Sequence, residues 1–91
     1  RKPMQIVRNM LKDAVALGYS FKAGSEHEVD YSGQSVSKAI EALEQLDEGH
    51  VTILNERGYR CGSAFIIPDL GDDEVIADAG GWVNDWLDEN N

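Results

Sequence analysis

The sequence predicts an α+β fold: one domain ordered αββαββ(α), with a four-stranded antiparallel sheet, two helices on one of its faces and a short C-terminal helix. Three observations carry that expectation. Apolar stripes of helical period run over residues 4–17 and 35–47, and each is followed by two short runs that alternate or are apolar. Glycines stand where elements should stop or turn, at Gly18, Gly24, Gly49 and Gly58. Finally, one helix on one hairpin cannot close a core, whereas two such units can merge their hairpins under both helices.

The first helix is read from Met4, Ile6, Val7, Met10, Leu11, Ala14, Val15 and Leu17, whose spacings of three and four make one stripe. Arg8 and Lys12 lie four apart near its edge, and Gly18 is a good stop. Tyr19, Phe21 and Ala23 then alternate with Ser20 and Lys22. After a turn at Gly24 and Ser25, residues 27–31 form the expected partner strand, and Ser32, Gly33 and Gln34 a loop. Ser35 suits an N-cap for a second helix, whose stripe is Val36, Ala39, Ile40, Leu43 and Leu46. Residues 50–54 and 59–67 read as a second hairpin around Gly58, with a bulge expected near Gly62 and an end at Pro68.

The chain closes on GDDEVIADAGGWVNDWLDENN, which carries both tryptophans and no Lys or Arg. Val75, Ile76 and Ala77 suit a short edge strand or a turn of helix, and Gly80 and Gly81 a break. Trp82, Val83, Trp86 and Leu87 then make one stripe of a short helix. Two roles follow for the tryptophans. They dock that helix on the domain, or they anchor a partner.

At 91 residues, 42% of them hydrophobic, the chain suits one domain with a modest core and not wholesale disorder. Residues 1–3 read as a cloning remnant or flexible start, and 4–91 as the domain, with an acidic segment over 69–91. The apolar runs are too short to cross a bilayer, and no secretory signal pattern opens the chain. Cys61 is the lone cysteine, so no intrachain disulfide forms; this fits a reducing, cytoplasmic setting, and its alternating apolar run suits a buried, inert thiol.

Eight basic and seventeen acidic residues give a net charge of −9, which opposes direct binding of nucleic acid or an anionic membrane. The charge is uneven. Asp69, Asp72, Asp73, Glu74, Asp78, Asp85, Asp88 and Glu89 have no basic residue among them. A metal site in this segment lacks a pattern: as a calcium loop from Asp69, Glu74 replaces the turn glycine and Gly80 the bidentate Glu. His27 and His50 lack metal-ligand spacing and read as strand-edge surface residues, and no glycine run suits a phosphate. No catalytic residue, metal or cofactor is implied.

The run LGYSFKAGSEHEV, and then SKAIEALEQLDEGHVTILNERGYRCGSAFIIPDLGDDEVIAD, resembles small proteins of unassigned function encoded by tailed bacteriophages and prophages. The matching features are Gly18-Tyr19, residues 24–28, Leu46-Asp47-Glu48, residues 55–58, Ile66-Ile67-Pro68 and residues 73–78. Where that group closes the first hairpin on a basic pair, this chain has Asp30-Tyr31, so no phosphate contact carries over. The resemblance implies an accessory protein of the host cytoplasm and names no catalytic residue.

Three functional readings remain open. The first is a non-enzymatic interaction module, one form being an inhibitor of a host nucleic-acid-binding protein by charge mimicry. Its partner is an unidentified host or phage protein, with Asp72, Asp73, Glu74, Asp78, Trp82 and Trp86 as contact residues and the chain a monomer or weak homodimer. The second is a metal-dependent hydrolase using the carboxylates from Asp69 to Asp78. The third is a self-associating structural protein.

Overall fold

Helical spacing winds Gln5–Ala16 into α1 and buries Val7, Met10, Leu11 and Ala14 on one side. The structure is a computed structural model that describes residues 3–90. Gly18, at φ 81°, ends the helix in the left-handed region that an L side chain resists, and Tyr19 N–H returns to Ala14 O at 3.0 Å. Leu17, expected in the apolar stripe, lies past the last turn and is 51% exposed.

β1 (Ser20–Gly24) pairs antiparallel with β2 (Val29–Gly33). The second strand starts two residues later than expected. Ser25 Oγ accepts the Glu28 N–H at 3.1 Å, and Ser25 N–H reaches Glu28 O at 2.9 Å, so His27 and Glu28 belong to the turn. Ser32 and Gly33, expected as loop, pair with Lys22 and Phe21. α2 (Val36–Glu44) begins at the expected cap, where Ser35 Oγ accepts the Lys38 N–H at 3.3 Å. Its last residue is Glu44, with Gln45 as the C-cap, short of residue 47.

β3 (Gly49–Leu54) and β4 (Arg60–Ile66) form the second hairpin. Gly58 takes the left-handed conformation, φ 84°, and Asn55 Oδ1 accepts N–H groups from Arg57 and Tyr59. Ile53 pairs with Gly62 and Leu54 with Arg60, so the bulge falls at Cys61, beside the expected glycine.

The sheet has five strands, not four. β5 (Ile76–Gly81) adds to β4, giving the order β2-β1-β3-β4-β5, all antiparallel. Its glycines, read from sequence as a break, continue the strand because β4 runs too close for side chains. A Cβ on Gly80 would sit 3.2 Å from Ser63 Oγ, and one on Gly81 would collide with the Cys61 carbonyl. α3 (Trp82–Asn90) follows at once. Gly62 admits this turn: a Cβ there would stand 3.2 Å from Trp82 N and 3.1 Å from Val83 N.

Alternate strand residues feed one core. Phe21, Ala23, Val51, Ile53, Ala64 and Ile66 are buried together with Met10 and Leu11 of α1, Ile40 and Leu43 of α2, and Val83 and Trp86 of α3. The first two helices therefore share a face, as expected, and the third joins them. Leu11→Ala is expected to lower stability by about 2–5 kcal/mol in urea melts, since the side chain is fully buried. Lys12→Ala, at an exposed site, should change it by no more than about 0.5 kcal/mol. Equal losses would show that the buried side of α1 is misassigned.

Candidate functional site

The acidic segment is built into the fold at three points. The connection from β4 to β5 turns on backbone bonds from Glu74 and Val75 N–H to Gly71 O, and Val75 is fully buried. That turn aims Asp72 at the start of α1, where its Oδ1 accepts the Gln5 N–H at 3.1 Å. Met4, the residue before the helix, supplies no side-chain cap, so a carboxylate from 67 positions away does so. Asp73 and Glu74 are exposed. Asp78 lies on β5, its Oδ1 taking the Ala79 N–H at 3.0 Å.

The tryptophans differ. Trp86 is 6% exposed, and its Nε1 donates to Asp13 Oδ2 on α1 at 2.6 Å. It is the bolt between the last helix and the first. Trp82 is half-buried and meets Tyr19 edge to face, with ring centroids 5.6 Å apart. Asp85, Asp88 and Glu89 stay exposed on the outer side of α3. All eight carboxylates from Asp69 to Glu89 are thus at the surface, along the β5 margin of the sheet and the helix that follows it.

A second constellation lies on the sheet face without helices. There, register lines up Lys22, Thr52, Ser63 and Gly80 in one row across four strands, and Gly24, His50, Phe65 and Asp78 in the next. The His50 and Phe65 rings lie 5.1 Å apart, tilted by 36°. These rows floor a trough of about 730 Å³, with Arg60 lining it and Glu26, Glu28 and Glu48 at its rim. Sequence reasoning placed His50 at a strand edge; it stands on the central strand, because β3 pairs with β1 on one side and with β4 on the other. The alternation of Lys22, Thr52 and Ser63 signalled a polar face, but their alignment needed the strand order.

Cys61 is half-buried on β4. Desolvation, aided by the Glu56 charge, pushes its thiol up, away from the reactive thiolate. Among the described residues, no three His, Cys, Asp or Glu side chains are grouped to hold a metal ion, and no helix is long and apolar enough to cross a membrane. No family model matches the chain, and neither a curated protein nor a solved structure does so.

Two outcomes follow from these placements. Asp72→Ala should cost about 1 kcal/mol through loss of the cap, whereas Asp72→Asn, which keeps an acceptor, should cost much less; equal losses in urea melts would remove the cap from the account. Cys61 should react with a disulfide reagent at neutral pH more slowly than an unperturbed thiol. Glu56→Gln should speed it, because removing a negative charge lowers the thiol's pKa and raises the thiolate fraction. A Cys61 rate equal to that of an unfolded control would show the thiol to be unshielded.

Proposed function

We propose that this chain is a non-enzymatic interaction module, a small acidic accessory protein of phage type that acts in the host cytoplasm. It binds the basic, nucleic-acid-binding surface of a partner protein and competes there with nucleic acid. The observation that carries this reading is the uninterrupted run of exposed carboxylates from Asp69 to Glu89, without a Lys or Arg from Cys61 onward. Folding fixes these groups on a turn, a strand and a helix, so their spacing is held before a partner arrives. Preorganised charge of one sign speeds encounter with a surface of the other sign and repels competitors like itself.

Burial of Trp86 supports a narrower choice of contact residues. Trp86 serves packing, which leaves Asp73, Glu74, Asp78 and the outer face of α3 as the contact surface, with Trp82 beside it. Asp72 already holds α1. A hydrolase reading needs converging carboxylates, and Asp72 is turned instead toward a helix terminus. Self-association of the basic side of α1 with a neighbour's acidic segment is opposed by the net charge of −9, and Arg8 is already paired with Glu44.

The test is capture of a partner from host lysate at graded salt, followed by competition with duplex DNA. The captured protein should be released by DNA. A variant carrying Asp73→Asn, Glu74→Gln, Asp85→Asn and Asp88→Asn should keep its fold and bind it more weakly. That difference should shrink as salt rises, since exposed charges are screened beyond about 10 Å at 0.1 M. A partner held equally by parent and variant at low salt, and indifferent to DNA, would refute charge mimicry.

A further inference from the structure

We propose that the trough on the open sheet face binds the C-terminal basic residue of a polypeptide, taking its free carboxylate at one end and its guanidinium or ammonium group at the other. This surface shares only Asp78 with the acidic margin, and the proposal does not rest on the function proposed above. The trough is two-ended. Toward one end Lys22 stands in the row of the Thr52 and Ser63 hydroxyls, and Arg60, opposite Leu54, lines the trough one row further along β4. Neither cation forms an ion pair among the described residues, although acids outnumber bases seventeen to eight in the chain. Two unneutralised cations beside hydroxyl donors are suited to one carboxylate.

The other end has the opposite character. Phe65 and His50 make a ring floor, Asp78 shares their row, and Glu48, Glu26 and Glu28 line the trough beyond the strand ends. A cation over a ring face within reach of carboxylates is favoured on both counts. The carboxylates alone would not define a ligand; their opposition to Lys22 and Arg60 across the same floor does. The two rows are two residues apart along each strand, roughly 7 Å. An extended Lys or Arg carries its charge a similar distance, roughly 6–7 Å, from its own carboxylate.

Other ligand classes fit less well. A polyanion meets four carboxylates at one end and a net charge of −9 overall. A simple cation gains nothing from the Lys22 and Arg60 end. A free amino acid places its α-ammonium beside those two cations, whereas at a chain terminus that nitrogen is a neutral amide. The occupant is therefore a terminus and not the free amino acid.

The experiment is an NMR titration of the whole chain with N-acetylarginine, its amide, N-acetylcitrulline and free arginine. N-acetylarginine should shift the amides of Thr52, Ser63 and Phe65. It should bind about fivefold more tightly than each of the others, about 1 kcal/mol, the scale of one exposed ion pair. Lys22→Ala with Arg60→Ala should erase its advantage over the amide, and Asp78→Asn with Glu48→Gln its advantage over N-acetylcitrulline. Unmoved core amides will show that each variant is folded. Equal binding of acid and amide, tighter binding of free arginine, or no shift at these amides up to millimolar ligand would each overturn the proposal. So would adenosine monophosphate shifting them where N-acetylarginine does not.

Discussion

One-sided burial is the constraint on which this molecule depends. Every strand from β1 to β4 places alternate residues against the helices or against a neighbour that touches them, and Phe21, Val51, Ile53 and Ile66 are all but inaccessible to water. At about 25 cal/mol per Å² of apolar surface buried, such side chains supply most of the drive for folding. All three helices must then lie on that side, because no second apolar face exists to receive one. The opposite face is left wet, and its row of Lys22, Thr52 and Ser63 is a consequence of the same alternation.

Close backbone approach sets the second half of the architecture. Gly62, Gly80 and Gly81 let β5 and the start of α3 pass over β4 without side chains between them. That passage swings α3 back across the core, where Trp86 reaches Asp13 on the first helix. The chain's two ends are thereby tied together at two places, by this bond and by the Asp72 bond to Gln5 N–H. Both ties use an aspartate, Asp13 on α1 for the first and Asp72 of the acidic segment for the second. Part of the segment's charge, that of Asp72, is therefore structural.

What was legible in the sequence follows from these causes. The stripes of α1 and α2, the Ser35 cap and the Gly58 turn were legible because each is decided by neighbours within a few residues. The shared face of the first two helices followed from the need to cover one sheet. β5 was only half legible: IADAGG has little intrinsic strand preference, and its glycines read as punctuation until the proximity of Cys61 and Ser63 explains them. The late start of β2 turned on one hydroxyl, Ser25 Oγ, which draws His27 and Glu28 into the turn. The trough was not legible, since it exists only when β1 and β3 are neighbours. Of the acidic site, the exposure of Asp73, Glu74 and Asp78 could be anticipated, but the diversion of Asp72 to a helix terminus 67 residues away could not.

Packing accounts for where the acidic groups of α3 point and not for their sign. Val83 and Trp86 face the core, so residues 85, 88 and 89 face water, and any polar side chain satisfies that requirement. Helix chemistry argues against acids there: Asp88 and Glu89 sit in the last turn, where the helix dipole favours cations, and that turn holds none. Self-repulsion at a net charge of −9 acts in the same direction. Among the described residues, Arg8 with Glu44, 3.8 Å apart, is the only Lys or Arg ion pair, and neither residue belongs to α3. Lysines at positions 88 and 89 would suit the fold better by both measures. The sign of this surface is therefore a feature the fold does not require, and it is there that a demand from outside the molecule has to be sought.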